Sequence, residues 1–492
     1  MSNSQSLLSI AMRTAGLAAC GVAAGCGGGS GSGSAPATAA TVKSVAVSPA
    51  SNTMMAGQTT QYKSTATYSD GTTADASAAT TWSVDASACG SVDASTGVLS
   101  GVQGIGTCSV KVKATYTASG GSTLTATAPA TVNGLYAAAV TLPNVNVSQP
   151  DAVVLADFNG DGNVDVLATD MGGDVDVALG MGNGTFGTPS PVVIGSAATG
   201  YVVTADFNGD GKKDAVLSAG AGGLVYLAGA SPGPFSAPLT FATQITDAAG
   251  LAVGDFNGDG KLDLAAARDT NGSVSVMLGS GNGLFGTATD IALGMNPHFV
   301  AVADVNGDGK ADLVLADYVA GKIAVLLGNG NGGFGTAIVT TTGGHSSVSD
   351  QGNVRVALGD FNGDGHIDVA VTNGTTAVDI LAGDGTGKFT SAGSIDVGSK
   401  VVSVSAVDVN GDGKLDVVAV GANTGTTSTT ANVRITYGDG KGNFGVPIQL
   451  AWTVGATTPV GITSYDLIVA GKADLLVPAI AATGSLWLLA QE

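Results

Sequence analysis

Positive charge is scarce in this chain: 18 Lys and Arg stand against 38 Asp and Glu, and charged residues make up only 11% of the 492 positions. No basic stripe exists to neutralise phosphates, so nucleic acid is excluded as a partner. The histidines number three and the cysteines four, and no histidine falls in a metal-ligand spacing. Aromatics are 5%, and the Glu-, Lys- and Leu-rich stretches of long amphipathic helices are missing. Beyond the first 26 residues no segment is apolar enough to cross a membrane. What is left is Val, Ala, Thr, Asp and 77 glycines in short runs, the composition of an all-β protein with many turns.

The first 26 residues have the shape of an export signal, with Arg13 ahead of TAGLAACGVAAG, a run too short to span a bilayer as a helix. The stretch resembles a bacterial lipoprotein signal, in which a cysteine after small residues is lipidated. Two cysteines fit. Leu17-Ala18-Ala19-Cys20 matches the lipobox, whereas Cys26 leaves a more usual apolar length after Arg13, with GGGSGSGS following as a tether. Cys26 is preferred, and Cys20 stays open. The expectation is an exported protein of the cell envelope, held to a membrane by lipid alone or else secreted. Residues 27–41 form a Gly/Ser/Ala-rich linker. Cys89 and Cys108 are the other two cysteines, and in an exported chain they are expected to pair.

Residues 42–133 carry the alternating segments VKSVAVSPA, TTQYKSTATYSDG, TTWSVDAS, STGVLSG and TCSVKVKATYT, broken at Gly, Asp, Ser or Pro. VSPA, AGQTTQ, YSDGT, Trp82 and STGVLSGVQGIGT resemble a bacterial Ig-like group-two domain. The resemblance implies a small β-sandwich with Trp82 in its core, serving as a spacer or an adhesive module.

The rest of the chain repeats. ADFNGDGNVDV returns as ADFNGDGKKDA, GDFNGDGKLDL, ADVNGDGKADL, GDFNGDGHIDV and VDVNGDGKLDV, and YDLIVAGKADL is a degraded seventh copy. The copies begin at Asp157, Asp206, Asp255, Asp304, Asp360, Asp408 and Asp466, at spacings of 49, 49, 49, 56, 48 and 58 residues. A second marker, a glycine-rich turn ending in Phe186, Phe235, Phe285, Phe334, Phe389 or Phe444, falls once in each of the first six units. Four apolar segments per unit, AVVLAD, VDVLATD, VDVALG and PVVIG in the first, make one propeller blade. The last unit ends at LWLLAQE without an outer strand, while VNGLYAAAVTLP ahead of the first loop aligns with a marker turn, Tyr136 standing for the Phe. The first strand of residues 134–492 is therefore expected to complete the last blade, giving a closed seven-bladed β-propeller. This repeat resembles the FG-GAP (VCBS) family, which includes the propeller of integrin α subunits.

Each loop reads Asp-x-Asn-x-Asp-Gly-x-x-Asp. Calcium takes six to eight oxygens, and alternating side chains of a tight loop can face one centre. The expected ligands are Asp157, Asn159, Asp161 and Asp165; Asp206, Asn208, Asp210 and Asp214; Asp255, Asn257, Asp259 and Asp263; Asp304, Asn306, Asp308 and Asp312; Asp360, Asn362, Asp364 and Asp368; Asp408, Asn410, Asp412 and Asp416. The carbonyl of Asn163 and its equivalents is expected to join them. About six Ca²⁺ would offset part of the net charge of −20, since 18 of the 38 acidic residues lie in these loops. An EF-hand is rejected, because its bidentate Glu is replaced by Ala168, Leu217, Ala266, Leu315, Val371 and Ala419. Ile468 and Ala470 in the seventh copy predict no metal there.

No nucleophile motif or phosphate loop is present, and the chain is expected to be no enzyme. His298, His345 and His366 are scattered, and His366, inside a calcium loop, is expected to face solvent. Insertions at 340–355 and 421–432 leave from the blade ends opposite the calcium loops. Elaborated loops on a rigid scaffold usually carry function, so a protein or glycan ligand at the cell surface is expected on that face. Integrin-like propellers bind partners there too. The alternatives are a lectin, for which Trp452 and Trp487 are the candidate stacking residues, and a propeller-containing lyase or hydrolase.

Overall fold

In a computed structural model of the chain, residues 40–489 are described apart from 87–88, 102–105, 119–120, 135, 137–139, 143–149, 171–174, 184, 196–200, 318–319, 343–355, 373–374, 422–431, 451–457, 460–462, 466–473 and 481–484. The described residues are strands and turns with two single-turn 3₁₀ segments, Ser77–Ala79 and Gly220–Gly222. Cys20, Cys26, His345 and Trp452, most of both insertions, and Asp466 to Gly471 of the degraded loop lie outside the described residues.

Residues 42–133 form three small sheets. Period-two patterning decides which side is inside: along Thr107–Thr117, Val110, Val112 and Ala114 are buried while Lys111 and Lys113 are exposed. This strand pairs over its whole length with Thr123–Asn133, a strand missing from the segments read above because TLTATAPATVN has a proline in its middle. Pro129 is tolerated there because it lies just outside Ala130–Asn133, the stretch that pairs with a second neighbour, Asn52–Met55. Trp82 is buried, its ring centroid 6.4 Å from that of Tyr62. Cys89 and Cys108 are joined as a disulfide, with Cα atoms 5.9 Å apart. Opening that loop through Cys108→Ser should cost about 3 kcal/mol, checked by urea unfolding of the variant against the native chain with and without reductant.

Residues 150–450 form six four-stranded antiparallel sheets, each of four consecutive strands in chain order. The first is Pro150–Ala156, Asp165–Asp170, Val175–Ala178 and Ser190–Pro191. Middle strands are buried on both faces, as in Asp214–Ser218, Leu224–Leu227 and Ser273–Met277. That is why they read as unbroken apolar runs and not as alternation. Most outer strands are shorter than the sequence segments suggest. In the first sheet only Ser190 and Pro191 pair where PVVIG is expected, an outer position with one neighbour and a residue lacking an N–H. Phe389–Asp396, at eight residues, is the long exception.

The final sheet draws on distant parts of the chain. Val140–Leu142 pairs antiparallel with Ser485–Leu489, in the register Val140 to Leu488 and Leu142 to Leu486, and Ser485–Leu489 pairs on its other side with Asp474–Ile480. First strands of successive sheets touch in chain order, and Pro150–Ala156 also meets Asp474–Ile480. Leu155 and Val166 of the first sheet pack with Leu488 of the last.

The N-terminal sheets are packed onto the repeats as well as tethered to them. Tyr437 Oη donates to the Ala56 carbonyl at 3.2 Å, and a Cβ added to Gly57, whose φ is +81°, would lie 2.1 Å from the Tyr437 ring. One apolar cluster runs from Trp82, Leu99 and Val132 through Tyr136 to Val409, Ile435 and Leu475.

Candidate metal centre

Each loop joins the first strand of a sheet to the second. In the first, Gly160 and Gly162 take φ of +75° and +86°, left-handed values that let the chain double back within five residues. The reversal aims backbone N–H groups at side chains. Asp157 Oδ1 accepts from Gly160 and Asp161 at 2.7 and 3.1 Å, and Oδ2 accepts from Gly162 at 2.9 Å. Asn159 Oδ1 accepts from the Asp161 N–H at 2.9 Å, and Asp161 Oδ1 from Asn163 at 2.7 Å. In the other loops, Asp206, Asp255, Asp360 and Asp408 accept in the same way, and Asp304 accepts from Asp308 and Gly309. Asn208, Asn257, Asn306, Asn362 and Asn410 each take the N–H of the aspartate two residues on.

The ninth loop residue differs from the rest. Asp165, Asp214, Asp263, Asp312, Asp368 and Asp416 are all buried, at 0–1% exposure. Each carboxylate ties its loop to the turn after the third strand: Asp165 Oδ2 accepts from Phe158 N–H at 2.9 Å and Oδ1 from Gly180 N–H at 2.8 Å, and the pattern recurs in all six. Burial pushes these carboxyls above the ordinary aspartate range, with the first and fifth loop aspartates adding to it in most units, and Asp416 is raised to about 6. Two of the fifth-position carboxylates show the opposite shift: Asp161 is lowered by the N–H of Asn163, and Asp259 by that of Lys261. Lys212, Lys261, Lys310 and Lys414 reach Asp210, Asp259, Asp308 and Asp412 at 3.0–3.5 Å. Such exposed pairs add little.

The donors of each loop are thus all oxygen, the set a hard cation takes. The ninth aspartate is buried, and in most units the charges of the first and fifth loop aspartates disfavour its ionised form further, an arrangement that a divalent ion would relieve. As they stand, the side chains are spread among backbone N–H bonds. Among the described residues no three acidic, histidine or cysteine side chains are drawn together into a ready metal cluster.

Two features missed in the sequence complete the loops. The glycines closing each third strand, Gly180, Gly229, Gly279, Gly328, Gly383 and Gly438, give the N–H to the ninth aspartate. They also bridge to the marker residues Phe186, Phe235, Phe285, Phe334, Phe389 and Phe444. The second feature crosses between sheets. Loop residues Phe158, Phe207, Phe256 and Phe361 meet the next unit's Phe235, Phe285, Phe334 and Phe444, ring centroids 4.8–5.8 Å apart. The carbonyls of Phe207, Phe256 and Phe361 accept from Gly283, Gly332 and Gly442 of that next unit at 2.8–3.0 Å. Where the loop has Val instead, Val305 clusters with Phe389 and Val409 with Tyr136.

Comparison with known families places this repeat. The FG-GAP-like repeat matches residues 157–217, 206–266, 255–315, 304–371 and 360–419, more than half of the chain, and the FG-GAP repeat matches 401–441. The chain belongs to the FG-GAP-like repeat family. Each FG-GAP-like match runs from one loop through the next, the same two-unit span that the aromatic contacts bridge. Among curated proteins no significant match is found. A lead-soaked crystal of BBS1N in complex with ARL6DN is 13% identical, with a TM-score of 0.50 over 73% of this chain and 97% of that one. A lectin of Agrocybe aegerita described as recognising non-reducing terminal N-acetylglucosamine is 19% identical, at 0.47 over 84% and 99%. The V. cholerae biofilm matrix protein Bap1 is 15% identical, at 0.40 over 69% and 76%. Of these the first supports a shared β-propeller-like fold and nothing beyond it.

His366 is exposed, as expected, with its ring lying beside the next turn of its own unit, where a Cβ on Gly385 would come within 2.5 Å. His298 is largely buried, with Nε2 3.4 Å from Asp269 and Nδ1 2.9 Å from the Asn296 carbonyl. Burial, as the larger effect, lowers its pKa.

Proposed function

We propose that the chain is an exported, calcium-binding surface protein without catalytic activity, which binds a protein or glycan partner through the propeller face opposite its calcium loops. The observation that carries this reading is the sixfold recurrence of one buried, N–H-bridged aspartate facing an all-oxygen loop. The first, third, fifth and ninth residues of each loop would hold the ion. Bound calcium would fix the loop and, through the loop aromatic, the neighbouring sheet, a structural service and not a chemical step. The repeats form seven blades in a closed ring, a reading supported by the pairing of Val140–Leu142 with Ser485–Leu489. The N-terminal sheets are an Ig-like spacer, and lipid on Cys26, or on Cys20, is the only membrane contact.

Calorimetric titration of the metal-free protein with calcium tests the central claim. About six bound ions support it, and fewer than three would reject it. Deleting residues 343–352 and 423–430 together should abolish partner binding without changing the calcium count; unchanged binding would remove the assignment of the face.

A further inference from the structure

The six loops are not equivalent, and the difference lies in a side chain outside the motif. A carboxylate offers about four lone-pair positions. At the ninth loop residue two are taken by backbone N–H groups in every unit, leaving two for an ion. In the second unit a third is taken. Tyr226 Oη donates to Asp214 Oδ2 at 2.9 Å, on the oxygen that already accepts from Phe207 N–H at 2.9 Å, while Oδ1 holds Gly229 N–H at 2.8 Å. Asn208 Nδ2 lies a further 3.5 Å from Oδ1. The strand register shows what stands at this place elsewhere. Tyr226 pairs with Val216, two residues past Asp214, and the equivalent positions are Val177, Val276, Val325, Ile380 and Ile435. None of those five has a hydroxyl to give.

We infer that Tyr226 makes the second loop the weak calcium site of the six, by occupying on Asp214 the oxygen position that the ion takes in the other five. This rests on the calcium reading above. An ion entering the second loop either does without that oxygen or displaces the phenol. Tyr226 is 6% exposed and wedged against Gly283 of the next unit, where a Cβ would lie 2.6 Å from its ring, so a displaced hydroxyl finds no water in place of its acceptor. The sequence signal is a single tyrosine where five units carry Val or Ile, visible only once the units are aligned on the ninth aspartate.

The test is calcium titration of the full chain and of Tyr226→Phe, with Tyr226→Val, the residue of units one, three and four, as the second variant should Phe fail to fold. A hydrogen bond to a charged group has a strength that converts to about 10- to 100-fold in affinity. The native chain should therefore bind about five ions in one class and one ion at least about 10-fold more weakly, and the variant should bring the sixth into the common class. Six equal ions in the native chain, or a weak site that survives in both variants, would overturn the proposal while leaving the calcium reading intact. Fewer than three ions in every protein would instead reject the calcium reading and this proposal with it.

Discussion

Chelating calcium should lower the melting temperature of this protein by about 10 °C. The estimate follows from mass action. A site with a Kd near 10⁻⁴ M, in the range of extracellular calcium modules, gains roughly 1.4 kcal/mol at about 1 mM calcium, and six such sites give on the order of 8 kcal/mol. At the entropy of unfolding usual for a domain of this size, that is about 10 °C. Scanning calorimetry with and without chelator reads it, and re-addition of calcium should restore the higher value while magnesium, which demands octahedral geometry and keeps its waters, should restore much less. A melt indifferent to chelator would mean that the loops are turns held by their own Asx bonds, which the hydrogen bonding around Asp157 could sustain alone.

Gly279→Ala is expected to be among the most damaging single methyl additions at the described glycines. Its Cβ would lie 2.0 Å from the Leu262 carbonyl oxygen, a backbone atom with nowhere to go, and moving the strand away breaks the 2.7 Å bond to the buried Asp263. Overpacking and a buried carboxylate robbed of a donor together cost about 3–5 kcal/mol. Gly286→Ala is the control, because there a Cβ meets only the Leu278 carbonyl at 3.5 Å, an ordinary contact. Its effect should stay within about 0.5 kcal/mol. Calcium counting adds a second readout: Gly279→Ala should lose one ion and Gly286→Ala none.

Much of this architecture was written in the sequence, for an identifiable reason. The loop aspartates repeat at a fixed spacing because each must turn within five residues and reach back to the same strand, which leaves little freedom of residue or length. The marker phenylalanines were legible too, but their purpose was not. Phe285 bridges to Gly279 within its own sheet and meets Phe207 of the preceding one edge to face, and contacts between units leave no mark in the periodicity of either. The glycines ending the third strands stand in plain view in VALG, YLAG and MLG, yet only the placed Cβ shows why nothing larger fits. Thr123–Asn133 was overlooked because its proline argues against a strand, and it survives by sitting where one neighbour has already left the ladder. The contact of Tyr437 with Ala56 joins residues from opposite ends of the chain, and no local pattern announces it.

The pairing of Val140–Leu142 with Ser485–Leu489 also sets a timetable. A strand near the start of the repeats must wait, unpaired, until nearly all of the remaining chain has been delivered, so the final sheet has about the highest contact order this topology allows. During that interval its edge is an adhesive surface open to other copies. Assembly should therefore be limited by the closing of a clasp and not by the making of any one sheet, and the chain should be most exposed to aggregation in the moments before its last strand arrives.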